Sequence, residues 1–108
     1  MKVLHSNFKL NGESFSSAEA LKEVANHLAE KGNNDEPAIG KFILEWLDKN
    51  DYIAVKTSGS TGIPKTITLK KEHVFNSAQA TINYFDLKEN TKALLCLSSE
   101  YIAGKMML

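Results

Sequence analysis

The 108-residue chain holds a single cysteine, Cys96. That excludes an internal disulfide framework and a cysteine-rich zinc site. Cys96 lies in the apolar run Ala93-Leu94-Leu95-Cys96-Leu97, where a buried, reduced thiol is expected. Neither sign of charge is in excess, since thirteen basic residues balance thirteen acidic ones. A nucleic-acid or membrane-surface partner draws on a basic excess, so neither has support. No apolar run approaches the ~18 residues of a membrane span. The first ten residues, MKVLHSNFKL, lack the apolar core of a secretion signal. A cytoplasmic location is the default expectation.

Several catalytic patterns are missing too. His5, His27 and His73 are spread over three segments without metal-ligand spacing. His73 reads as a surface or capping residue rather than a base. Glu100 has no carboxylate partner in sequence, so paired acid–base chemistry has no support. No serine sits in a G-x-S-x-G elbow. There is no internal repeat and no low-complexity tract.

What is present is the pattern of a small α/β domain. Asn11-Gly12, between SNFKL and ESF, is the dipeptide preferred in type I′ hairpin turns. Ser16 and Glu19 fit a capping box for a first helix. Leu21, Val24, Ala25 and Leu28 follow at helical spacing, and Gly32 closes the helix as a C′ residue. The loop at 32 to 36 is the one candidate boundary. A second helix starts near Pro37 with an apolar stripe of Ile39, Phe42, Ile43, Trp46 and Leu47; Trp46 reads as core.

Residues 52–56 and 66–69 alternate as two strands, which the short loop between them makes an antiparallel pair. A third helix over 71–85 carries Val74, Ala78, Ile82 and Phe85 on one face. Lys70, Lys71 and Glu72 read as its solvated start. Lys92 to Leu97 reads as a fourth, interior strand. A serine-rich turn then opens another helix, on which Lys105 is a solvated lysine or, less favoured, faces an acidic substrate. The apolar close YIAGKMML, without a polar tail, carries the expectation that the chain is a piece of a longer protein.

The segment from Lys56 to Leu69, KTSGSTGIPKTITL, stands apart. Four hydroxyls can each donate to an anion, two glycines let successive N–H groups converge, and Lys65 adds a positive charge. These are the needs of a polyphosphate. A flexible Ser/Gly linker is the alternative, although such linkers seldom end in Pro-Lys and then enter a strand. The loop is not a Walker A motif: Pro64 stands where that motif needs glycine, and a strand, not a helix, follows Lys65. The dinucleotide-binding G-x-G-x-x-G is absent as well.

Thr57-Ser58-Gly59-Ser60-Thr61-Gly62-Ile63-Pro64-Lys65 resembles the T-S-G-[ST]-T-G-x-P-K phosphate loop of the adenylate-forming acyl-CoA ligase superfamily. Downstream, Leu95 to Gly104 is similar to that superfamily's L-x-L-P-x-x-H-x-x-G segment. Ser98 replaces the proline, and Tyr101 stands at the aromatic or histidine gate near the acyl pocket. The run YIAGKMM and the short region before the loop are similar to the compact o-succinylbenzoate–CoA ligases of menaquinone biosynthesis.

The resemblance covers about residues 40 to 108 and implies a partial adenylate-forming fold: helices on a small mixed sheet with a strand–phosphate loop–strand hairpin. On this reading residues 1–108 are the N-terminal portion of the large AMP-binding domain, with 1–35 a hairpin and helix and 36–108 the phosphate-loop segment. It implies ATP, Mg2+ and coenzyme A as cofactor and co-substrates, and a carboxylic acid, aromatic or otherwise, as substrate. Thr57, Ser58, Gly59, Ser60, Thr61, Gly62 and Lys65 would contact the ATP phosphates, and Tyr101 and Gly104 the acyl substrate. The adenine, ribose and magnesium ligands and the catalytic lysine would lie outside these residues, so the isolated chain is expected to be inactive. Copies could pair through an exposed sheet edge. A stand-alone nucleotide- or anion-binding module, another adenylating enzyme of the superfamily, and a non-enzymatic interaction domain are the rival readings.

Overall fold

The computed structural model describes residues 4–57 and 62–108. The chain divides into two compact units, Met1–Asp48 and Lys49–Leu108.

The first unit opens with a hairpin of β1 (Lys9–Leu10) and β2 (Glu13–Ser14), paired antiparallel with Lys9 opposite Ser14. Asn11 at φ 52° and Gly12 at φ 82° form its turn, and two successive positive φ values are what a type I′ turn needs. Helix α1 (Ala18–Lys31) is capped one residue later than the sequence suggests. Ser17 is extended, and its Oγ accepts from the Ala20 amide at 3.2 Å. Glu19 thus falls at the second helical position, where it still faces the positive end of the helix dipole.

Gly32 is a correction as well. Its φ of −69° is not left-handed, and it caps α1 by donating its N–H to the Leu28 carbonyl at 3.0 Å. The next residues form the turn into α2 (Glu36–Leu47), so the loop at 32 to 36 lies inside this unit. The Glu36 carboxylate closes that turn by accepting from the Asn33 amide at 3.0 Å.

Helices α1 and α2 bury Leu21, Ala25, Ile43 and Leu47 between them. Leu4, Phe8, Leu10, Phe15, Ile39, Leu44 and Trp46 pack around this cluster, so the hairpin and the second-helix stripe share one core. Trp46 is half-buried against this core, on the side its spacing suggests, and its ring lies 6.2 Å from that of Phe42. The two helix backbones approach at Gly40, where an added Cβ would stand 2.4 Å from the Ala25 carbonyl oxygen and 2.7 Å from the Ala29 nitrogen.

In the second unit β3 (Tyr52–Lys56) and β4 (Thr66–Lys70) are antiparallel, with Ile53 opposite Leu69 and Val55 opposite Ile67. Ile53 and Val55 are buried while Tyr52, Ala54 and Lys56 are exposed, as strict alternation requires. Leu69 is half-buried, and Ile67 is exposed. Helix α3 (Lys71–Tyr84) follows β4 without a loop. The Lys71 amide donates to the Asp51 carbonyl at 2.8 Å, and the Lys71 side chain is buried. The solvated helix start expected there is therefore corrected for Lys71, though Lys70 and Glu72 are exposed. Val74 and Ala78 are half-buried, but Ile82 and Phe85, on the same stripe, are exposed. The helix stops as Asp86 turns left-handed, with the Leu87 amide reaching back to the Ile82 carbonyl at 3.0 Å.

Two further expectations are corrected here. In place of a mixed sheet, the described strands form two separate antiparallel pairs, and the parallel pairing is confined to a single bridge between Lys56 and Tyr101. Residues 92–97 form no strand, Leu94 is 82% exposed, and the Cys96 thiol is exposed rather than buried. An interior strand exists only when neighbours satisfy its backbone groups, and no described segment pairs with this one. A final short helix, α4 (Ile102–Lys105), follows the serine turn.

Gly40→Ala is expected to lower stability by about 1–3 kcal/mol, since backbone rather than a yielding side chain opposes the new methyl. Chemical denaturation measures it, and an unchanged midpoint would show that the helices can separate freely.

Candidate functional site

The loop between β3 and β4 is closed at its base by one residue pair. Thr57 donates its N–H to the Lys65 carbonyl at 2.9 Å, and its Oγ1 accepts from the Lys65 amide at 3.1 Å. The strand register brings these residues together, since the last ladder pair is Lys56 with Thr66. Thr57 thus fastens the loop, and its hydroxyl hydrogen remains available for a second acceptor. Gly62, Ile63, Pro64 and Lys65 are all exposed, so the Lys65 ammonium stands in water at the loop's end. Ser58, Gly59, Ser60 and Thr61, which the sequence reading also assigns to phosphate, lie outside the described residues.

The second group of site residues meets the first through the backbone. Lys56, the last residue of β3, makes an isolated parallel bridge with Tyr101. Tyr101 is thereby held one residue from Thr57, a juxtaposition that no spacing in the sequence signals. Tyr101 is half-buried and precedes α4. Its amide donates to the Ser98 carbonyl at 3.4 Å, and its carbonyl accepts from the Lys105 amide at 3.1 Å.

Gly104 is buried against this turn. A Cβ there would stand 2.2 Å from the Ser98 carbonyl oxygen and 2.9 Å from the Ser99 Cα. Its observed contacts are with backbone, so its first role is to let α4 close onto the serine turn. Lys105 is half-buried rather than solvated. His73 is exposed, as its place early in α3 suggests.

Sequence reasoning missed the burial of two polar residues. Ser99 is fully buried, and its Oγ has no hydrogen-bond partner among the described residues. Lys71 is the other, at the first position of α3. Ser99 stands at an unspecified position of the Leu95 to Gly104 segment and Lys71 at a helix start, and burial of this kind depends on tertiary packing. Among the described residues no group of three His, Cys, Asp or Glu could hold a metal ion, and no helix is long and apolar enough to cross a membrane.

No protein-family model matches the chain, and no curated protein does. Among solved structures, the chain is similar to an acyl-CoA synthetase (AMP-forming)/AMP-acid ligase II-like protein from Dyadobacter fermentans. The likeness supports the adenylate-forming ligase superfamily. The TM-score is 0.67 and the identity 35%, over 80% of this chain and 25% of that one. The chain therefore spans a quarter of the solved ligase-like protein's length. Both α/β architecture and sequence agree over the aligned part, which fold likeness alone does not require.

Ser99→Ala removes a hydroxyl that has no described partner, so stability should hold or rise by up to about 1 kcal/mol. Gly104→Ala should lower it by about 1–3 kcal/mol through overpacking. Thermal melts of both variants test this; a marked loss in Ser99→Ala would reveal a partner for the hydroxyl.

Proposed function

We propose that this chain is the N-terminal portion of the large AMP-binding domain of an ATP-dependent acid–CoA ligase. The observation that carries the proposal is the nine-residue loop from Thr57 to Lys65, in a chain 35% identical to an AMP-forming acyl-CoA synthetase-like protein. Its attachment to two antiparallel strands, closed by Thr57 and Lys65, supports the same reading.

The reaction has two steps. A carboxylate oxygen of the acid attacks the α-phosphorus of ATP, and the bond to the bridging oxygen of pyrophosphate breaks, giving an acyl-adenylate. The coenzyme A thiol then attacks the acyl carbon, gives up its proton and displaces AMP, leaving a thioester. This chain's contribution is electrostatic. Thr57, Ser58, Gly59, Ser60, Thr61 and Gly62 supply hydroxyl and backbone donors, and Lys65 a cation, to the departing pyrophosphate as its charge grows. The described residues offer no cluster suited to Mg2+, so no step here is assigned to one.

The finer reading is an o-succinylbenzoate–CoA ligase of menaquinone biosynthesis, acting in the cytoplasm; the Tyr101 to Met107 run favours it. Tyr101 and Gly104 would then border the acyl pocket, Gly104 through the backbone packing described above. The chain's partners are small molecules: ATP, a carboxylic acid and coenzyme A.

Calorimetric titration of the 108-residue chain with ATP and with pyrophosphate tests the loop. Binding is expected, weakened about tenfold or more by Lys65→Ala through loss of a charge-assisted contact. Equal affinities for the two proteins would sink the assignment of Lys65, and no binding would sink that of the loop. The chain alone should form no thioester.

A second reading concerns assembly. Beyond its pairing with β3, β4 has an open edge among the described residues, which favours pairing between copies. Sedimentation over a concentration series should show a dimer that Ile67→Lys weakens; a monomer at every concentration would refute it.

A further inference from the structure

Asn11 is the one asparagine of the chain that precedes a glycine. The pair forms the tip of the first hairpin, with φ 52° at Asn11 and 82° at Gly12, and both residues are exposed. It also brings together the two halves of a reaction. The side-chain amide carbon of Asn11 is an electrophile, and the main-chain nitrogen of Gly12 can close a succinimide ring on it. Gly12 lies outside the ladder, and no described residue accepts a hydrogen bond from its N–H. An added Cβ at Gly12 would meet nothing within 4 Å, so no neighbour shields the nitrogen. Every other asparagine is followed by a residue whose side chain hinders that attack.

What opposes the reaction is the ladder. Ring closure needs the peptide plane between Asn11 and Gly12 to swing until the nitrogen faces the side-chain carbon, and the turn must open to allow it. Only two residues from each of β1 and β2 resist that opening. A two-stranded ladder so short opens at low free energy, well below that of global unfolding. Phe8 and Phe15, with ring centroids 6.1 Å apart, stay packed against the helix core at the hairpin's base while the tip opens.

We propose that Asn11–Gly12 is an age-dependent modification site, where an uncatalysed intramolecular reaction converts the hairpin tip to isoaspartate and so loosens the first unit. Hydroxide removes the Gly12 amide proton, and the nitrogen forms a bond to Asn11 Cγ. The bond from Cγ to the side-chain nitrogen breaks, and ammonia leaves with a proton from water. One water molecule then opens the ring. Cleavage on the Cγ side gives aspartate in an unaltered main chain. Cleavage on the side of the main-chain carbonyl leaves Gly12 bonded to Cγ, and that carbonyl becomes a free carboxylate.

Isoaspartate adds a methylene to the main chain inside the turn. The two successive left-handed residues that match the strand twist are then lost. The pairing of Lys9 with Ser14 and of Leu10 with Glu13 loses the turn that sets it. Phe8, Leu10 and Phe15 are side chains that this hairpin packs around Leu21, Ala25, Ile43 and Leu47, so a change at an exposed tip reaches the core. The new carboxylate also moves the chain from charge balance to a net negative charge.

Incubation of the full chain over a series of mildly alkaline pH values, with tryptic mapping of the Leu10–Lys22 peptide by mass and retention, tests this. The free peptide of the same sequence and the Asn11→Gly chain run alongside, since Gly-Gly suits the same turn and lacks the reactive amide. Conversion of the folded chain should lie within about a hundredfold of the free peptide's rate, the factor for an opening cost of about 2.8 kcal/mol. It should also rise with pH, as hydroxide does. The ladder amides of residues 9–14 should exchange about tenfold faster in the aged wild-type chain than in the fresh one, and no faster in aged Asn11→Gly. Conversion slower than that limit, or no faster than at the other asparagines, overturns the site. Isoaspartate formed at position 11 with ladder protection unchanged overturns its effect on the first unit. Should Asn11→Gly misfold, the comparisons of folded chain with peptide and of fresh with aged wild type still decide.

Discussion

Everything in the second unit is arranged around the pairing of β3 with β4, and that pairing is completed by the double hydrogen bond between Thr57 and Lys65. A loop rich in glycine, serine and threonine has high conformational entropy. Its ends are brought together by the strand pairing and by the side chain of its own first residue. Ile53 and Val55 anchor one strand by burial, and the Thr57 hydroxyl extends the closure beyond the last ladder pair. Direct continuation of β4 into α3, tied back by the Lys71 amide to Asp51, keeps the hairpin's other end from fraying.

The first unit solves a different problem. A helix pair with a short hairpin has little area to bury, so its packing relies on close backbone approach at Gly40 and on aromatic side chains from the hairpin. Phe8 and Phe15 flank the tight turn at Asn11-Gly12 and reach the same cluster as Leu21 and Ile43. The turn's left-handed dihedrals therefore do more than reverse the chain. They place two rings on one side of the hairpin.

Local patterns were legible in the sequence wherever local physics decides the structure. The Asn-Gly turn, both long helices of the first unit, the alternating strands and the start of α3 follow from dihedral preference and periodicity. Helix caps shifted by one residue because Ser16 and Ser17 are chemically equal, and only geometry selects Ser17. The failures share one cause. Cys96 and its apolar neighbours read as a buried strand, and Val74 to Phe85 share one apolar face of which only Val74 and Ala78 are half-buried, because apolar pattern reports a demand for burial and not its supply. Lys71 errs in the opposite direction, its charge suggesting solvent while the helix start draws it inward. At the site, the nine-residue loop was readable from its hydroxyls, glycines and lysine. The meeting of Lys56 with Tyr101 was not, since forty-four residues of chain lie between them.

The exposed thiol of Cys96 gives the molecule a property that its composition alone would not promise. As the one cysteine in the chain, it accepts a thiol-directed fluorophore or spin label at a single position, with no background site to remove. That position lies five residues before Tyr101. The natural sequence thus carries its own attachment point for an optical or magnetic reporter beside the turn, without any engineered residue.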